Sequence, residues 1–209
     1  MLNMSLMPLN SLSSFHNNGA VNLLPPFHED IFSSHLLKNL RTLYTQLYPN
    51  FTIENTSPFF VRSGRVALCG ELFGSVMNAT CSNSSSVISA YWPASGHDLS
   101  AIDYGERMKV GTVQYFCKHQ VTVCTSDNVR QKYEHVLAYV CWKQRHPCED
   151  WYGISATVCV NMHEPPSVCS FIPVQRIHSV CVHSMVDVEI NSLHEKVFIA
   201  VPVPVKFYL

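Results

Sequence analysis

The feature that most constrains the fold is the second half of the chain, where residues 110–117, 134–142, 155–160, 170–177 and 196–203 form short apolar runs separated by polar turns. Val113 and Tyr115, then Val121 and Val123, alternate with polar neighbours as a half-buried strand requires, because successive strand side chains point to opposite faces. Residues 135–140 are almost continuously apolar and read as a central strand covered on both faces. Five or six such strands with no helical period between them predict a small β-barrel or curled antiparallel sheet.

The first half carries a different period. Ile31, Leu36, Leu40, Leu43, Leu47 and Tyr48 recur at helical spacing, with Lys38 and Arg41 between them, which predicts one amphipathic helix within residues 28–48. Pro25 and Pro26 precede it and Pro49 stops it. Short strands are expected over 59–62, 65–69 and 86–92, with Ser63-Gly64 as a hairpin turn and 81–86 as a polar loop. Gly96, Asp98, Asp103 and Gly105 mark a turn-rich linker. The organisation read from these signals is a disordered leader over 1–24, a helix with short strands over 25–93, a linker over 94–108 and a β-barrel-like module over 109–206. The fold class is α+β and mainly β: a C-terminal barrel or curled antiparallel sheet preceded by one helix and short strands.

Charge excludes some partners. Lys plus Arg number 14 against 15 for Asp plus Glu, and both halves are balanced, so no basic face is available for strong nonspecific binding to nucleic acid. Only 14% of residues are charged while 47% are hydrophobic, against about 25% charged in an average domain, so part of the surface is expected to meet a partner. Residues 1–24 lack a basic start and are broken by Asn3, Pro8, Asn10, Ser13, His16 and Asn17, unlike a secretory signal. The apolar run 197–205 contains Pro202 and Pro204 and is far shorter than the roughly 20 residues that span a bilayer. The expected setting is nuclear or cytoplasmic, with no membrane. In such a reducing compartment the 9 cysteines behave as free thiols, and Cys117, Cys141, Cys159 and Cys181 lie in strand-like runs as small core residues. A secreted disulfide glycoprotein is the alternative, for which Asn3, Asn50, Asn55, Asn78 and Asn83 would be glycosylation acceptors.

Catalytic and metal signatures are missing. Cys117/His119/Cys124, Cys141/His146/Cys148 and His178/Cys181/His183 are the densest ligand clusters, yet the chain has no C-x-x-C pair, and on a strand His178 faces away from Cys181 and His183. Neither a Gly-x-Ser-x-Gly elbow nor a phosphate loop is present. Glu149-Asp150, Asp187/Glu189 and Asp103/Glu106 read as solvated carboxylates. No catalytic residue, metal or cofactor is therefore expected, and the chain is read as not an enzyme. Aromatics remain: Tyr91-Trp92, Tyr139, Trp142 and Trp151-Tyr152 either pack or line a groove. The binding residues selected are Trp142, His146, Trp151 and Tyr152, on and beside the loop 143–150. A chromatin-reader-like cage would need two or three of Trp92, Tyr115, Trp142, Trp151 and Tyr152 to converge at the surface.

The series Gly111-Thr112-Val113-Gln114-Tyr115-Phe116, residues 135–142, His146-Pro147, Tyr152-Gly153, 170–177 and 196–202 resembles the C-terminal region of uncharacterised proteins encoded by animal DNA transposons. There it looks like a small β-domain similar to one attached to CACTA-type transposases. Residues 24–30 and Ala90-Tyr91-Trp92-Pro93 resemble the same proteins. A transposase core itself would need separated acidic residues on alternating strands and helices, which this chain lacks. The resemblance implies a cysteine-rich, non-catalytic accessory module of a mobile-element protein, holding a protein partner or the remainder of a transposase, or assisting association with DNA or chromatin.

Overall fold

The computed structural model describes residues 21–78, 86–90, 92, 108–147, 156–190 and 193–203. In chain order its elements are β1 (Val21–Ile31), α1 (Ser34–Leu47), β2 (Thr52–Thr56), β3 (Phe59–Leu68), β4 (Glu71–Gly74), β5 (Val87–Ala90), β6 (Lys109–Cys124), β7 (Arg130–Arg145), β8 (Thr157–His163), β9 (Phe171–Pro173), β10 (Ile177–Ile190) and β11 (Leu193–Pro202). The expected class holds: the described residues are mainly β with one α-helix, and every strand pairing among them is antiparallel.

Six strands close on themselves, because β6 pairs with β5, β5 with β10, β10 with β11, β11 with β8, β8 with β7, and β7 again with β6. The hydrogen-bonded ring is a small barrel. Its interior is narrow and is filled accordingly by Val87, Val110, Cys159, Cys181, Ala200 and one ring, Phe198. Ser89 and Ser179, both fully buried, bond to each other across β5 and β10 at 2.9 Å, which satisfies two hydroxyls that water cannot reach.

The remaining strands extend this ring rather than forming a separate layer. β3 pairs with β6 and carries β1 on its other side, β2 joins the far end of β6, and β9 joins β7. One continuous apolar cluster joins Leu40, Leu43, Tyr44 and Leu47 of α1 to Phe60 and Val66 of β3, Phe116 and Val121 of β6 and Leu137 and Trp142 of β7. The segments before and after residues 94–108 thus share one sheet and one core. Burying Leu40, Leu43 and Leu47 contributes roughly 2 kcal/mol each, which is what holds α1 to the sheet.

Local chemistry explains where the sequence pattern misleads. The helix begins at Ser34, capped by Ser33, whose Oγ accepts from Leu36 N; residues 28–31, read as its first turn, instead pair with Phe59–Arg62 as β1. Residues 21–24, assigned to the leader, pair with Arg65–Leu68. Ser63-Gly64 is not a turn but mid-strand: Ser63 Oγ donates to Leu24 O, Gly64 O accepts from Ser75 Oγ at 2.9 Å, and a Cβ at Gly64 would lie 2.9 Å from Asn78 Cβ. The glycine serves close approach. The actual hairpin turn follows at Cys69 and Gly70, whose φ values of 51° and 85° are what a two-residue turn between Leu68 and Glu71 requires.

Candidate functional site

Of the four residues selected from sequence, Trp151 and Tyr152 lie outside the described residues. Trp142 is 1% exposed, and its indole N–H donates to Cys169 O at 2.6 Å. Trp92, 2% exposed, donates to the same carbonyl at 3.0 Å. The two indoles converge, but on a buried backbone oxygen: they pin the turn before β9 and present no face to solvent. Tyr115 stacks on Tyr139 and Phe60. His146 is buried beyond the end of β7, its backbone N–H donating to Val158 O at 2.9 Å and its ring Nε2 lying 3.3 Å from Glu195 Oε2. It links β7 to β8 and β11.

The buried histidines between α1 and the sheet are committed as well. His119 Nε2 lies 2.7 Å from Ser57 O, a carbonyl that can only accept, so Nε2 carries the hydrogen and Nδ1 accepts from the Tyr44 hydroxyl at 2.8 Å. This neutral tautomer fits the direction of its pKa, lowered by burial. Tyr48 bonds His135 Nε2 at 2.7 Å. Burial pushes the thiols of Cys117 and Cys141 up and that of Cys181 to about 11, so none is a thiolate nucleophile at neutral pH. The 7 described cysteines are all free thiols. Among the described residues no three His, Cys, Asp or Glu converge as a metal site requires, and no helix is long and apolar enough to cross a membrane.

Among the described residues, two places stand out as chemically uncommitted. The first is the ribbon made by β10 and β11. β5 covers only Ile177–Val180 of β10, so from Cys181 onward no described strand pairs with the outer edge of β10. Val203 N donates to Val180 O, and Pro202, which has no N–H, stands opposite Cys181. Hydrogen bonds to β11 therefore fall at Val182, Ser184 and Val186, and the backbone groups of His183, Met185 and Asp187 point outward along the edge. Beside that edge Val182, Val186, Val201 and Val203 are exposed, Val182 at 64%.

The second is the mouth of the barrel, a cleft of about 340 Å³ lined by Thr112, Gln114, Lys143, His163, His183 and Phe198 among others. Strand alternation places Lys143 on the interior side of β7, opposite Trp142, and register places His163 directly across from it on β8. The β7–β8 seam is irregular at this point, between Lys143 and Arg145. The sequence pattern makes Lys143 the first residue of a loop; it is instead an interior strand residue, because β7 runs on to Arg145. Only the register of strands distant in sequence reveals this cluster.

No family model, curated protein or solved structure matches the chain.

Proposed function

We propose that this chain is a non-catalytic interaction module of a mobile-element-derived protein, acting in the nucleus or cytoplasm, and that it holds an extended segment of a protein partner against the outer edge of β10. The edge of β10 from Cys181 onward, which no described strand covers, carries this reading. Backbone donors and acceptors at His183, Met185 and Asp187 offer a ladder for one added strand, and Val182, Val186, Val201 and Val203 offer apolar area beside it. An edge without charge, proline or cover pairs with other chains; Asp187 and Glu189 blunt the far end of this one, which leaves residues 181–186 to take the added strand. The commitment of Tyr44, Tyr48, His119, His135 and both described tryptophans to internal bonds agrees with binding rather than chemistry. With a formal net charge of −1, contact with DNA runs through the partner.

The test is a pull-down of tagged, reduced protein from nuclear extract, half of it nuclease-treated, beside the double variant Val182→Lys/Val186→Lys, read by mass spectrometry. Both positions are exposed, so the charges leave the core intact. Protein partners that survive nuclease and disappear with the variant support the reading. Partners retained by the variant, or lost to nuclease, refute it.

A further inference from the structure

We infer that the barrel mouth is a binding site for a phosphate group, with Lys143 as its central cation and His163 and His183 as flanking donors. The inference does not depend on the β10 edge accepting a partner.

Two lysines of the described chain are buried to the same degree, at 7% exposure, and they are treated differently. Lys109 Nζ pairs with Glu164 Oε2 at 2.7 Å and lies 5.1 Å from the centre of the Trp142 ring. Lys143 has no carboxylate or hydrogen-bond partner among the described residues; its ammonium stands 4.7 Å from the centre of the Phe198 ring and opens on the cleft. An ammonium taken out of water needs an opposite charge, and a ring face supplies only part of one. Burial holds Lys143 below the ordinary lysine range, with the thiols of Cys159 and Cys141 acting the other way, as expected of a cation whose counterion comes from outside.

The groups around it are donors. His183 stacks on Phe198 with ring centres 5.1 Å apart, and its buried Nδ1 has no hydrogen-bond partner among the described residues. His163 lies across the strand pair from Lys143; desolvation and then the Lys143 charge hold its pKa low, so at neutral pH it meets a ligand as a neutral imidazole with one N–H. Gln114 and the Thr112 hydroxyl complete the rim, and among the described residues no Asp or Glu lines the cleft. Lys143 alone has three N–H bonds to give, and with two imidazoles and a hydroxyl the donors exceed what the two oxygens of a carboxylate would take up. The three terminal oxygens of a phosphate monoester match them better, and the volume leaves room for a small organic remainder. An irregular strand pair is a recurrent device for turning a side chain toward a ligand, and here it falls at Lys143.

The experiment is a thermal-unfolding titration with inorganic phosphate and with phenyl phosphate, at constant ionic strength, against chloride and acetate. Saturable stabilisation by phosphate is expected, since a ligand that binds only the folded state raises Tm. Lys143→Met should abolish this response and raise Tm in phosphate-free buffer, because it removes a buried charge without removing its stem. His183→Phe keeps the stack on Phe198, loses the ring nitrogens, and should weaken phosphate by about tenfold. Phenyl phosphate binding at least as well as phosphate indicates a monoester of a small molecule; preference for phosphate indicates the free ion. Equal stabilisation by acetate or chloride, or an undiminished response in Lys143→Met or His183→Phe, overturns the assignment.

Discussion

Replacing Tyr44 by phenylalanine removes one oxygen from the centre of the α1–sheet interface and leaves the ring in place. The cost follows from what that oxygen does. Tyr44 and His119 are 0% and 2% exposed, and the Tyr44 hydroxyl is the donor to His119 Nδ1, whose tautomer is fixed from the other side by Ser57 O. Loss of the hydroxyl strands a buried acceptor, which costs about 1–3 kcal/mol, where the loss of an exposed hydrogen bond costs well under 1. No water replaces it unless the ring withdraws, and Tyr44 packs its face on His119 at 5.6 Å. A value near 2 kcal/mol is therefore expected, or a fall in Tm of roughly 4–8 °C for a chain of this size. Urea unfolding by linear extrapolation measures it, with an unchanged m-value as the sign that only stability moved. Tyr48→Phe is the internal comparison: Tyr48 and His135 are more exposed, at 5% and 7%, and the loss should be smaller. A cost for Tyr44→Phe below about 0.5 kcal/mol, or below that of Tyr48→Phe, refutes the argument that the buried relay ties α1 to β6.

Three further outcomes follow from the same structure. His119 has a folded pKa below its ordinary 6.5, so below that pH the unfolded chain takes up a proton that the folded chain refuses; stability should fall with pH from about 6.5 downward, by up to about 1.4 kcal/mol per unit from this residue, in denaturant melts between pH 7 and 5. Burial also depresses His178, whose exposure makes its contribution small. Gly111→Ala should cost about 3 kcal/mol or prevent folding, because its Cβ would lie 2.5 Å from Val140 Cγ1, 2.6 Å from Trp142 Cε3 and 3.0 Å from Cys141 O, where β6 presses on β7; recovery of soluble protein with unchanged Tm would contradict it. Brief alkylation of the native protein should label Cys69, which is exposed, and spare Cys117, Cys169 and Cys181 until denaturant is added, as peptide mass mapping will show.

The elements legible in the sequence are those whose burial pattern is their own. Leu40, Leu43, Tyr44 and Leu47 mark α1 because one helical face carries all its packing, and β6 and β7 are long and apolar enough to announce themselves. β10 was not expected as a strand of this length. Val180, Val182, Val186, Val188 and Ile190 do alternate with His183, Asp187 and Glu189, with Ser184 as the one break, but what fixes the length and register of the strand is the ladder to β11, a long-range pairing invisible in a local window. β4 escaped for a related reason: four residues and a Cys-Gly turn carry little signal. At the site level, tryptophan and histidine drew attention because they are rare and versatile, yet Trp142 and His146 proved to be internal fasteners. Lys143 looked like the start of a loop, and only the closure of the barrel sets it beside His163 and His183.

The most direct test of the account is residue-resolved amide hydrogen exchange along β10 in the free protein, because the proposed function rests on an outer edge that no described strand covers. The alternation set by Val180 and Val203 predicts fast exchange at His183, Met185 and Asp187, with Ser184 and Val186 protected by β11. Equal protection at all five amides would mean that the edge is already covered, and would contradict the account.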